Sequence, residues 1–294
     1  MKYHTPALLQ KSVDGLHIEG DGVFVDLTFG GGGHSREILN RLSEKGKLVA
    51  FDTDKDAAEN LPDDKRVIFI QSNFRYFIQF LEYHNLLPVQ GILADLGLSS
   101  HHIDMPERGF SYRFDAPLDM RMNQNAKNTA FDIINNYPKN KLLNILEEFG
   151  ELSKAGKIAE AIVNQREIKP IVTTFQLNET IKSTFDGHVS NKVLSKIYQA
   201  LRIEVNHELD ALKDMLQSVP GALSSGGRVC IITYHSLEDR IVKNFFKQGE
   251  IDGQLTGSHN QLTPVNKKVI IPEYKEIKEN KRVRSAKLRI AEKL

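Results

Sequence analysis

The sequence predicts an α/β fold, a mostly parallel sheet with helices on both faces, carrying an all-helical insertion. Three observations predict it. Short apolar runs at Val23–Val25, Leu48–Phe51, Val67–Ile70 and Ile92–Ala94 alternate with helical patterns, as parallel strands with crossover helices do. Four glycines, Gly30–Gly33, join the first run to the first helix, the layout of a nucleotide-binding βα unit. Residues 129–216 then show helical spacing alone before a strand pattern resumes at Val229–Thr233.

Taken in order, Ala7–Val13 reads as a short leader helix. Val23–Val25 is the first strand, and Ile38, Leu39 and Leu42 mark one face of a helix over 35–44. Helices over 54–60 and 75–84 follow the second and third strands, and Asp95 closes the fourth. Residues 96–128 have no period but hold Phe110, Tyr112, Phe114, Leu118, Met120 and Met122. So apolar a stretch, too long for a plain connection, is expected to be an ordered functional loop. Val205, Leu209, Leu212 and Leu216 share one helix face. The expected organisation is a discontinuous α/β domain, 1–105 with 215–294, around a helical insertion at 106–214. Beyond it, Ser236 reads as an N-cap with Asp239 three residues on, 249–265 as a polar hairpin or loop, and Val269–Ile271 as the final strand.

Composition narrows the classes. With 40% apolar and 26% charged residues and no run of membrane-spanning length, the chain reads as a globular cytoplasmic protein without a secretory signal. One cysteine excludes an internal disulfide and a cysteine-rich zinc site. No His/Cys/Asp cluster has metal-ligand spacing. Residues 266–294 carry ten Lys and Arg against four acids, about +6 in a chain whose net charge is +1. That asymmetry points to a polyanion near the C-terminal segment.

The motif residues gather where ligands of such sheets bind, at the carboxyl ends of the strands. Asp52 lies about 20 positions after the glycines, where an acid accepts a ribose hydroxyl pair. A dinucleotide site would place G-x-G-x-x-G around a pyrophosphate. Here the turn reads D-x-T-x-G-x-G-G-H from Asp26 to His34, which suits a cofactor without phosphates, S-adenosylmethionine (AdoMet). A nicotinamide dehydrogenase would also need a hydride partner, which D-L-G-L-S-S at 95–100 does not offer.

Seven segments together are similar to one family. They are Y-H-T-P-A-L-L (3–9), D-L-T-F-G-G-G-G-H-S-R (26–36), D-L-G-L-S-S (95–100), R-G-F-S-Y-R-F-D-A-P-L-D-M-R-M (108–122), A-L-R-I-E-V-N-H-E-L (200–209), I-T-Y-H-S-L-E-D-R (232–240) and R-S-A-K-L-R (284–289). The chain resembles the MraW-type methyltransferases of bacterial small-subunit ribosomal RNA. The resemblance implies a class I (Rossmann-like) AdoMet domain with a helical insertion, and N4-methylation of a cytosine in the decoding region of 16S rRNA within the small subunit. It places the cofactor contacts on Gly32, Gly33, His34, Asp52, Phe74, Asp95 and His102.

Chemistry then assigns further candidates. The N4 lone pair of cytosine is delocalised, so catalysis must hold the amine with acceptors and position it. Asp95, with the carbonyls of Leu96 and Gly97, is the first candidate acceptor. Asp119 is the second, unless Arg121 or Arg113 engages it to brace the loop. Phe110, Tyr112 and Tyr234 are candidate stacking surfaces for an unstacked base. Arg108, Arg113, Arg121, Arg284 and Arg289 are candidate phosphate contacts. C5-methylation would need a cysteine nucleophile, and Cys230 sits inside an apolar strand. The non-enzymatic alternative is an AdoMet-binding RNA or ribosome assembly factor without turnover.

Overall fold

The computed structural model describes residues 6–98, 104–185, 187–257, 259 and 261–294. They form two compact units, Met1–Gly97 with Leu209–Leu294, and Leu98–Glu208.

In the first unit, β1 (Val23–Asp26), β2 (Lys47–Asp52), β3 (Val67–Gln71), β4 (Val89–Asp95) and β5 (Leu223–Thr233) are parallel. A short hairpin pairs β6 (Glu250–Ile251) with β7 (Gln254–Leu255). The sheet continues with β8 (Leu262–Pro264) and β9 (Lys287–Lys293), each antiparallel to its neighbour, in the order β3-β2-β1-β4-β5-β9-β8. Strand order therefore reverses between β1 and β4.

Helices α1 (Leu9–Gly15), α2 (Gly33–Arg41) and α3 (Phe77–Tyr83) come from the first segment of this unit. The second unit holds α4 (Ala130–Asn136), α5 (Lys139–Glu148), α6 (Ala155–Ile168), α7 (Thr174–Lys182) and α8 (Asn191–Asn206). Helices α9 (Glu208–Ala222), α10 (Ser236–Gln248) and α11 (Tyr274–Glu279) follow.

Successive strand residues point to opposite faces, and here both faces are covered, which is why the strands read as unbroken apolar runs. Val25, Val49, Phe51, Ile92, Ala94, Val229 and Ile231 form one core with side chains of α3, α9 and α10. Phe24, Leu48, Leu93, Cys230, Ile232, Leu288 and Ile290 form the other with α1 and α2.

The second unit has its own core, including Ile133, Leu142, Ile145, Ile158, Ile162, Leu177, Ile197 and Leu201. Capping boxes start two of its helices, Thr129 with Asp132 on α4 and Thr173 with Gln176 on α7. Phe110, Leu118 and Met120 of the irregular stretch belong to this core, whereas Leu212, Met215 and Leu216 pack in the sheet core. Apolar partnership thus divides the chain at 98 and 208, not at the expected 106 and 214.

Local readings also need correction. The helix expected over 54–60 is a 3₁₀ helix, Lys55–Asn60, and that over 75–84 is a 3₁₀ turn followed by α3. His235, not Ser236, caps α10, through a capping box with Glu238. Val269–Ile271 is not the last strand; Ile270 makes only an isolated bridge to Leu288 in β9. Apolar run length failed here because β9 alternates Leu288 and Ile290 with Lys287 and Arg289. Asp239 takes both cations, at 3.0 and 2.8 Å. Among the described residues, no helix is long and apolar enough to cross a membrane.

Candidate active site

The carboxyl ends of β1 and β4, where strand order reverses, are the expected place for a ligand crevice in an open α/β sheet. The turn after β1 is tied down by buried polar groups. Asp26 is fully buried; its Oδ1 accepts the Thr28 N–H at 3.1 Å and its Oδ2 accepts the Ser35 hydroxyl of α2 at 2.6 Å. Burial pushes its carboxyl up to about 6. Thr28 Oγ1 in turn accepts the Asp95 N–H at 2.6 Å, so the turn is fastened to β4. Gly32, at the N-cap of α2, has φ +72°, a left-handed conformation. A Cβ on Gly33 would meet Pro6 Cγ at 2.2 Å.

Asp52 ends β2 beside this turn. Its Oδ2 accepts the Gly30 N–H at 2.7 Å and its Oδ1 accepts the Asp54 N–H at 2.8 Å. A carboxylate offers about four acceptor sites, and here the backbone fixes the direction of both oxygens. Phe74 opens the 3₁₀ turn after β3 and is half-buried against the sheet core.

Asp95 ends β4 and has two ring neighbours. The Tyr234 hydroxyl donates to Asp95 Oδ1 at 2.8 Å. His34 Nδ1 lies 3.7 Å from Asp95 Oδ2, beyond hydrogen-bond range. His34 Nε2 is 3.2 Å from the Ala7 carbonyl, which can only accept, so Nε2 carries the hydrogen and Nδ1 faces Asp95 with a lone pair. Burial pushes His34 down to about 4, leaving it neutral. Asp95 is pushed up to about 7, chiefly by burial, against the lowering effect of the Tyr234 hydrogen bond. Tyr234, half-buried next to this acid, is pushed well above its ordinary value, chiefly by desolvation, and stays protonated. Glu238 Oε2 accepts the Tyr234 and His235 N–H groups at 2.9 and 3.3 Å and fixes the tyrosine backbone. A desolvated carboxylate of this kind gains most from a cationic ligand. With the Asp52 acceptors and the backbone of the glycine turn, the residues present fit a sulfonium cofactor carrying a ribose.

His102 lies outside the described residues. In the second unit, Asp119 forms a bidentate pair with Arg121, at 2.9 and 2.7 Å, and Arg121 also donates to the Ala126 carbonyl. This is the bracing arrangement. Two expectations need correction. Phe110 is 8% exposed and belongs to the helical core, so it offers no stacking face. Arg108 is 7% exposed and donates to the Arg121 and Met122 carbonyls at 2.9 and 3.2 Å, so it ties the loop together. Apolar packing and unmet carbonyls claim these side chains first. Tyr112 is half-buried, edge-to-face with Tyr198, and Arg113 is exposed. Arg289 pairs with Asp239, and Arg284 is exposed.

Sequence reasoning did not single out Asp26, Thr28 or Glu238 as site residues. The first two stood in the D-x-T spacing before the glycines. A buried acid in a turn that otherwise presents backbone to a ligand was the available signal.

The sheet order with one reversed strand beside β5, the glycine turn, and acids closing β2 and β4 define a class I methyltransferase. The model of the MraW methylase family matches residues 1–294. The chain is 53% identical over 298 residues to the ribosomal RNA small subunit methyltransferase H of Bacteroides thetaiotaomicron, covering 100% of this chain and 98% of the relative. It is 50% identical over 298 residues to the protein of the same name from Flavobacterium johnsoniae, covering 100% and 99%. The chain belongs to the MraW methylase family.

Proposed function

We propose that this protein transfers a methyl group from S-adenosylmethionine to the N4 amine of a cytosine in the decoding region of 16S rRNA, presented by the small ribosomal subunit. Family membership and the names of its relatives support small-subunit rRNA as substrate. The observation that carries the chemistry is the half-buried Asp95 carboxyl group, held by Tyr234 at the strand-order reversal.

When bound, AdoMet supplies an electrophilic methyl group on a cationic sulfur. Gly32, Gly33 and His34 would shape the turn that receives it, Asp52 would accept its ribose hydroxyls, and Phe74 would cover its adenine. Beside that positive charge Asp95 ionises. The carboxylate accepts an N4 hydrogen, localises the nitrogen lone pair toward the methyl, and takes up the proton as the new bond forms. The carbonyls of Leu96 and Gly97 are further acceptors. Asp119 serves the loop through Arg121, which leaves the catalytic role to Asp95. The 98–208 unit selects the RNA, with Tyr112 and Arg113 as its contacts, and Arg284 contributes from the C-terminal segment. Cys230, the one cysteine, is fully buried in β5 with its thiol pushed up by burial, so it is no nucleophile for C5-methylation.

The test is methyl transfer to small subunits lacking the modification, with labelled AdoMet and mass spectrometry of the digested nucleosides. N4-methylcytidine is expected, and its loss in Asp95→Ala. Label on another base atom would sink the N4 mechanism. Absence of label with AdoMet still bound would leave an RNA-binding role without turnover.

A further inference from the structure

One cavity of the first unit adjoins the machinery described so far. Of about 320 Å³, it is lined by Tyr234, Ser236, Ile271, Ile277, Arg284 and Lys287 among others, at the small end of ligand-pocket sizes and large enough for one nucleotide. Its walls differ in chemistry. Ile271 and Ile277 supply an apolar side, and Ile271 is 59% exposed, a large aliphatic side chain left toward solvent. The Arg284 side chain makes no hydrogen bond or ion pair with any described residue, whereas the Lys287 charge is taken by Asp239 at 3.0 Å. The positive end of α10, a helix of 13 residues, opens at Ser236. His235 also lines the cavity. Its Nδ1 accepts the Glu238 N–H, so its Nε2 carries the hydrogen. That Nε2 is buried without a hydrogen bond, although Glu238 Oε1 lies 3.2 Å away.

Tyr234 is shared between this cavity and the reaction centre. It lines the cavity, and its hydroxyl sits on Asp95 Oδ1 at 2.8 Å. Whatever fills the cavity therefore lies one side chain from the proposed catalytic acid. An apolar side in a cavity that a tyrosine also lines suits a nucleobase, and an uncompensated guanidinium near a helix N-terminus suits a phosphate.

We infer that this cavity is a second nucleotide subsite, which holds an RNA residue adjoining the one that is methylated. The inference rests on the RNA methyl-transfer reading and deepens it. The neighbouring base lies against Ile271, Ile277 and Tyr234, and its phosphate meets Arg284. Because Tyr234 also holds Asp95, a strand seated there positions the acid and the target together.

The test compares wild type, Arg284→Ala and Ile271→Asp for binding of unmodified small subunits across a salt series, and for AdoMet binding by calorimetry. Both side chains are exposed, so both variants fold. Loss of one phosphate contact is expected to weaken subunit binding about fivefold near 0.15 M salt and to reduce the salt slope by about one. Ile271→Asp, which sets a carboxylate in the apolar wall, is expected to weaken it at least as much. AdoMet affinity stays within twofold of wild type in both. Unchanged subunit affinity and slope in both variants would overturn the subsite and leave methyl transfer standing. A parallel loss of AdoMet affinity would assign the cavity to the cofactor instead and overturn it too. If wild type itself transfers no methyl to subunits, the functional reading fails and the subsite falls with it.

Discussion

Asp95→Asn separates the function of the half-buried acid from its cost to the fold. An aspartate ordinarily titrates at 3.8, and Asp95 does so at about 7. The folded protein therefore holds a proton that the unfolded chain has released between about pH 4 and pH 7. Stability contributed by this site falls as pH rises through that window, and the penalty is complete above it. At about 1.4 kcal/mol per pH unit, the gap sets an upper bound of about 4 kcal/mol. The side chain keeps 20% of its surface exposed, and partial solvation of that kind lowers the figure to about 2–4 kcal/mol. Asparagine carries no charge to bury. Urea denaturation without cofactor, from pH 4 to 8.5, is therefore expected to show Asp95→Asn more stable than wild type by about 2–4 kcal/mol at pH 8, with the gap closing as pH falls toward 4, while methyl transfer is lost. Asp26, raised to about 6, adds a slope of the same sign to both proteins; its charge also raises Asp95, so the difference curve reports Asp95 together with that coupling. A flat difference curve would refute the reasoning, because the carboxyl would then cost the same at every pH.

Two further outcomes follow from the same network. Tyr234→Phe keeps the ring but removes the hydroxyl that lowers the Asp95 pKa; the acidic limb of the kcat profile should move to higher pH, and an unmoved limb would disconnect the tyrosine from the acid. Ser35→Ala deprives the buried Asp26 Oδ2 of its 2.6 Å donor, and urea titration should register a loss of about 1–3 kcal/mol together with weaker AdoMet binding; stability within a few tenths of wild type would show that water replaces the hydroxyl.

Strand–helix alternation made the parallel half of the sheet legible, because strands buried on both faces read as apolar runs. The Gly30–Gly33 turn, Asp52 and Asp95 were legible because ligand chemistry and strand ends coincide there. What escaped depends on contacts distant in sequence. Lys287 and Arg289 look like a solvated basic tail until Asp239 is placed beside them. Arg108 looks like a phosphate grip until the Arg121 and Met122 carbonyls surround it. No local pattern announces that the Tyr234 hydroxyl reaches an acid 139 positions away.

The placement of β9 also orders events in time. During synthesis β5 emerges with Cys230, Ile231 and Ile232 in a strand whose outer edge has no partner until residues 287–293 arrive. Such an edge is a template for pairing with other chains, and here it stays open while the intervening segment is made. The strand that covers it also carries Lys287 and Arg289, which draw in Asp239 on α10 next to the Tyr234 loop. Completion of the sheet and firm placement of the tyrosine against Asp95 are thus expected to be one late event.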